Sequence, residues 1–138
     1  MKNLILIFAS LIILSCKPDD NVPVQPVDDN FDTSKAALVK QGMLVGVGHT
    51  ASGTASVYDS NGTKVVVLDP YSSQNGPDLK VYLSKDAAAN EYIKLGNLKS
   101  TMGKQVYEIP AGTKINEFGF VHVWCEKYTV VFAIAEMR

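Results

Sequence analysis

Beyond position 16 the chain has one cysteine, Cys125, so no internal disulfide can staple it. Histidine is almost as scarce, with only His49 and His122. There is no Cys-x-x-Cys, no His-Glu-x-x-His, no phosphate-binding glycine loop with its Lys-Ser/Thr and no Gly-x-Ser-x-Gly elbow. A hydrolase is hard to assemble from two histidines and scattered acids, and conventional enzymatic catalysis is not expected. Charge of one sign is also lacking: 13 basic residues face 14 acidic ones. Without a basic patch to neutralise phosphates, nucleic acid is excluded as a natural partner. No apolar run reaches the roughly 20 residues of a membrane-spanning helix. No internal repeat or low-complexity tract is present. The 138 residues suit one domain with a real core, not two.

The first sixteen residues stand apart from the fold. Lys2 supplies a positive start, and residues 4–14 form an apolar run of signal-peptide length. The run ends in Ile13-Leu14-Ser15-Cys16, which resembles a bacterial lipobox with Ile where Leu is favoured. That resemblance implies cleavage before Cys16 and its acylation (palmitate or a similar chain). Each buried methylene then contributes about 0.8 kcal/mol to membrane attachment. Lys17-Pro18-Asp19-Asp20 resembles the surface-export signal of Bacteroidetes lipoproteins, interrupted by Pro18. The expectation is an outer-membrane lipoprotein of a Gram-negative cell envelope, exposed at the surface and held to the membrane by lipid.

Residues 17–39 carry spaced prolines with Asp, Asn and Val, and read as a flexible tether, with a short helical turn after Asp32 running to Lys40. The domain is then residues 40–138. Its strands are expected at 42–47, 54–58, 64–68, 78–84, 91–95 and 105–109. Asn61-Gly62 is a hairpin turn, because Asn-Gly tolerates positive φ at both central positions. Residues 69–77, punctuated by Pro70, Gly76 and Pro77, read as a loop, and residues 86–90 as one helical turn.

The chain is organised around its closing hairpin, residues 118–135, with a polar break at Glu126 and Lys127. Alternation puts Phe118, Phe120, His122 and Trp124 on one face and Val121, Val123 and Cys125 on the other. The second arm is apolar at nearly every position, as in a strand buried on both faces. The sum is an all-β fold: an antiparallel β-sandwich or flattened barrel of short strands with one or two helical turns.

An ordered set of motifs runs through this domain. They are Gly42, His49, Ser52-Gly53-Thr54-Ala55, Leu68-Asp69, Gly76-Pro77-Asp78-Leu79-Lys80-Val81-Tyr82-Leu83, Leu95-Gly96-Asn97-Leu98-Lys99, Gly103, Tyr107-Glu108-Ile109-Pro110 and Val121-His122-Val123-Trp124-Cys125. Over residues 40–137 their order and spacing resemble the DM-thirteen, or electron-transfer DM, domain family. Pro70-Tyr71 stands where that family often has Phe after the Asp. The resemblance implies a β-rich, extracellular or membrane-attached domain, found in animals and plants beside haem-binding DOMON and cytochrome b domains. It also implies a redox feature at the Trp-Cys pair, here Trp124 and Cys125, and hence a redox partner protein.

Two readings of Cys125 stay open. It is a redox thiol or a soft ligand to haem or copper, or it is a small buried residue inside a passive envelope binding or adhesion module. His49 could pair with the thiol or join a prosthetic-group site, with Met43 or Met102 as a further haem ligand. His122, on the opposite face from Cys125, is not expected to share a metal with it. Asp69 and Asp78 flank the long loop and offer a third reading, a calcium-dependent module. The sequence leaves the prosthetic group and the oligomeric state undetermined.

Overall fold

The computed structural model describes residues 21–138. Its strands are β1 (Val27–Asp28), β2 (Ala37–Gly46), β3 (Ala51–Ser60), β4 (Thr63–Ser73), β5 (Leu79–Ser84), β6 (Tyr92–Asn97), β7 (Gly103–Glu108), β8 (Phe120–Cys125) and β9 (Val130–Glu136). They form one sheet in the order β1-β7-β4-β3-β2-β9-β8-β5-β6, antiparallel except for the β1–β7 pair. The expected all-β fold is therefore present, as a single sheet curled into a half-barrel rather than two stacked sheets. Leu44, Val57, Leu68, Val81, Val121 and Ala133 fill the inside of the curl and are nearly inaccessible. The alternation in β5 and β8 delivers this directly, since Val81 pairs with Val123 and Leu83 with Val121 across the two strands.

The β3–β4 hairpin turns at Asn61-Gly62 as the sequence predicts, and both residues have positive φ. Beyond residue 68, however, β4 does not become a loop. It continues through Pro70 to Ser73, pairing Tyr71 with Gly53 and Ser73 with Ala51 past a register shift. Gly53 makes this possible: a Cβ there would lie 2.2 Å from the Pro70 carbonyl oxygen.

The described part of the expected tether is fastened to the domain. Val22 is buried, and its N–H and C=O both bond the Asn75 side chain. Further on, β1 pairs with β7, and Asp29 accepts from the Val106 N–H and pairs with Lys99. The helical turn expected to reach Lys40 is confined to Thr33–Lys35, because β2 already begins at Ala37 and pairs with β3. Residues 86–90 are a turn, not a helix. The Asp86 carboxylate there accepts from the Ala88, Asn90 and Glu91 N–H groups, and Ala89 has positive φ. A second short 3-10 turn spans Ile115–Glu117.

The final strand departs from the expectation of burial on both faces. Phe132, Ala133 and Ala135 are buried, but Val130 is exposed and Val131 and Ile134 are half-buried. Val131 and Ile134, which pair with Trp124 and His122, face outward and are only partly covered among the described residues.

Candidate functional site

Cys125 ends β8 and pairs with Leu79 on one side and Val130 on the other. It points inward and is 2% exposed. Its Sγ–H donates to the Pro77 carbonyl at 3.2 Å. Pro77 is bridged to Asn21, and the neighbouring Asn75 holds Val22. The thiol is thus covered by the segment leading into β5, which the N-terminal strap fastens down in turn. Next to it, the Glu126 N–H donates to the Asp78 carbonyl at 3.1 Å and starts the β8–β9 turn.

His49 follows β2, and its ring stacks on Phe132 with centroids 4.1 Å apart. Its Nδ1 lies 3.3 Å from Gln74 Nε2. It sits at the same end of the sheet as Cys125, but its contacts are with Phe132 and Gln74, whereas the thiol hydrogen goes to Pro77. The expected His–Cys pair is not formed.

The outer face of β6, β5 and β8 carries an aromatic row. The ring of Tyr82 stacks on Tyr92 at 4.2 Å and on Trp124 at 5.8 Å. Tyr82 is nearly inaccessible, and its hydroxyl donates to Glu126 at 2.6 Å. Lys94 pairs with the same carboxylate oxygen. Burial pushes the Tyr82 phenol well above its ordinary range, and Glu126 adds to this. The Glu126 carboxyl is held below its usual range by Lys94 and then by Tyr82. The sequence gives Glu126 only as a break between strands. A carboxylate just past a strand end, beside a cross-strand Tyr, is the one signal that could have found this group.

His122 is fully buried under the turn after β5. Its Nε2 lies 3.0 Å from the Ala87 carbonyl, which can only accept, so Nε2 carries a hydrogen. Its Nδ1 lies 2.9 Å from Ser84 Oγ. Burial lowers its pKa, opposed by the Ala87 bond and the Asp86 charge. It is on the opposite face from Cys125, as alternation predicts, and both its nitrogens are engaged.

These positions do not fit a haem or copper centre at Cys125. The sulfur is enclosed, the histidines are held elsewhere, and no group of three His, Cys, Asp or Glu side chains capable of holding a metal occurs among the described residues. Met43 projects from β2 into solvent and Met102 precedes β7. Asp69 is exposed, and Asp78 pairs with Lys80. Trp124 neighbours Cys125 in sequence but faces the other way, beside Tyr82. An open depression of about 480 Å³ is lined by Gln41, Met43, Thr54, Glu136 and Arg138, none of them a residue of this site. The lipidation position, Cys16, lies outside the described residues.

With this geometry in place, comparison adds one finding. A family profile described as Electron transfer DM13 matches residues 43–137, most of the chain. No curated protein and no solved structure matches.

Proposed function

Because the chain belongs to the Electron transfer DM13 family, we propose that it is an exported lipoprotein, acylated at Cys16, whose domain exchanges electrons through the Cys125 thiol. The observation that carries this reading is the coincidence of the family match with a single thiol in the domain, placed where one loop and one strap cover it. At rest the hydrogen stays on Sγ, donated to Pro77. Movement of the covering segment breaks this bond and lets the exposed thiol lose its proton to water. The thiolate then attacks one sulfur of a partner's disulfide, forming a mixed disulfide and releasing the partner's second sulfur as a thiolate. The oxidant is the partner disulfide, and no bound metal is needed.

A second reading has its own observation. A thiol 2% exposed with its hydrogen bonded inside the fold is what a structural cysteine in a passive envelope module looks like. Labelling separates the two. A thiol reagent is applied to the membrane-associated protein, and the rate at Cys125 is compared with the rate of global unfolding. Labelling much faster than unfolding, together with a mixed disulfide trapped from envelope extracts, supports electron exchange. Labelling only at the unfolding rate overturns it and leaves the structural cysteine.

A further inference from the structure

The end of the domain that holds Cys125 also receives the chain from its N-terminal side. Asn21 is bridged to Pro77, Val22 is bonded to Asn75, and Gln74 is bonded to Thr50 in both directions. The 47–50 turn, the 74–78 segment and the 126–129 turn therefore lie at the same end of the sheet as Asn21, joined through Gln74–Thr50 and Asp78–Glu126 bonds. This same end carries exposed apolar side chains: Val47 (45% exposed), Tyr128 (65%) and Val130 (42%). Val47 is tied by its N–H bond to the Phe132 carbonyl near the start of β9, the strand that Val130 opens just after Tyr128, so the three lie at this end of the sheet. Along β2, Val45 and Met43 extend it as an exposed strip on the outer face.

We infer that this rim is a docking surface for the lipid bilayer that anchors the protein, an inference resting on the lipoprotein reading of Cys16. Chain length selects this occupant. From Cys16 to Asn21 there are five residues, which span at most about 18 Å even when fully extended. A domain of this size has a radius of gyration of roughly 13 Å, so its far end cannot turn to face the membrane on so short a leash. The end bearing Asn21 is held against the bilayer. There Tyr128 sits with its ring among acyl chains and its hydroxyl at the headgroups, and the valines are covered.

Trp124 is the only tryptophan, half-buried on the outer face one residue before Cys125 and paired with Val131, so it reports on this rim. The test uses the full chain expressed with its leader, purified and reconstituted in phosphatidylethanolamine–phosphatidylglycerol vesicles, with and without brominated acyl chains. Mass spectrometry first records acylation at Cys16. With Cys16 acylated, quenching of Trp124 by brominated lipid is expected, and its loss in the Val47→Ser/Tyr128→Ser/Val130→Ser variant. The substituted side chains are exposed, and an unchanged melting curve verifies folding. Acylation without quenching, or quenching unchanged in the folded variant, overturns docking and leaves the anchor intact. Cross-links between copies through the rim, abolished by the same variant in the absence of quenching, assign the surface to a second copy and also overturn it. An unacylated Cys16 overturns the anchor and the docking together.

Discussion

The thiol of Cys125 and the carbonyl of Pro77 are joined by a hydrogen bond across 48 positions of sequence, and Pro77 is bridged to Asn21. Access to the thiol is therefore expected to depend on how firmly residues 21–22 are held. Asn75 does much of that holding, with two bonds to the Val22 backbone. Asn75→Ala removes both, each with a net worth of about 1 kcal/mol. Labelling of Cys125 is expected to accelerate about tenfold or more through local opening. The denaturant midpoint of the domain is expected to fall by less than that acceleration implies. Equal changes in the two would mean that the thiol is exposed only by global unfolding.

Gly103 extends the same argument along the strap. Its φ is +105°, and a Cβ there would lie 2.0 Å from the Val27 carbonyl oxygen. Gly103→Ala is expected to detach β1 from β7, at a cost of about 1–3 kcal/mol from strain and lost pairing. Amide exchange checks it: protection at Val27 and Asp29 is expected to vanish while protection in β8 persists.

These two predictions mark what could be read from the sequence. Alternation alone put Val121, Val123 and Cys125 on one face of the strand and His122 on the other, because strand geometry has a fixed period of two. Asn61-Gly62 announced its turn because the conformation needs those residue types. The strap was not legible. Pro23 and Pro26 look like punctuation, and only partners 53 to 77 positions away, Asn75, Ser100 and Val106, hold that stretch on the sheet. The same holds for Pro70, which sits within a strand because Gly53 makes room for its carbonyl. At the site, the enclosure of Cys125 could not be read from its own strand, because its cover comes from Pro77, 48 positions away. The Tyr82–Glu126 pair stayed hidden because its one cue, a carboxylate just past a strand end, points to Tyr82 only once the strand beside β8 is known.

That pair makes the next prediction. Tyr82 is 3% exposed and its hydroxyl has Glu126 as acceptor. Glu126→Ala removes the charged acceptor of the buried phenol and leaves it only the neighbouring Tyr92 hydroxyl, at an expected cost of about 1–3 kcal/mol. Tyr82→Phe removes the donor as well, so the double variant is expected to lose less than the sum of the two single changes. The carboxyl is held below its ordinary range in the folded state, so its stabilisation is complete above the unfolded value of about 4.3 and is lost as pH falls through the lower folded value. Denaturant midpoints measured from pH 6 downward should fall less steeply in Glu126→Ala than in the parent.

His122 governs a higher pH window with the same sign. Burial lowers its pKa, against the opposing pull of the Ala87 bond and the Asp86 charge. In the unfolded chain the imidazole takes up a proton near pH 6.5, while the folded one stays neutral to lower pH. The unfolded state then binds more protons across that interval, so stability rises with pH there and is lost as pH falls from about 6.5 through the folded value. His122→Gln removes the titrating group. It is expected to lower stability at pH 8 by about 1–3 kcal/mol through imperfect replacement of the Ser84 and Ala87 bonds. It is also expected to flatten the decline below pH 6.5. Equilibrium unfolding at half-unit pH steps checks both effects. A slope that persists unchanged in the variant would move the titration to another group and refute the assignment.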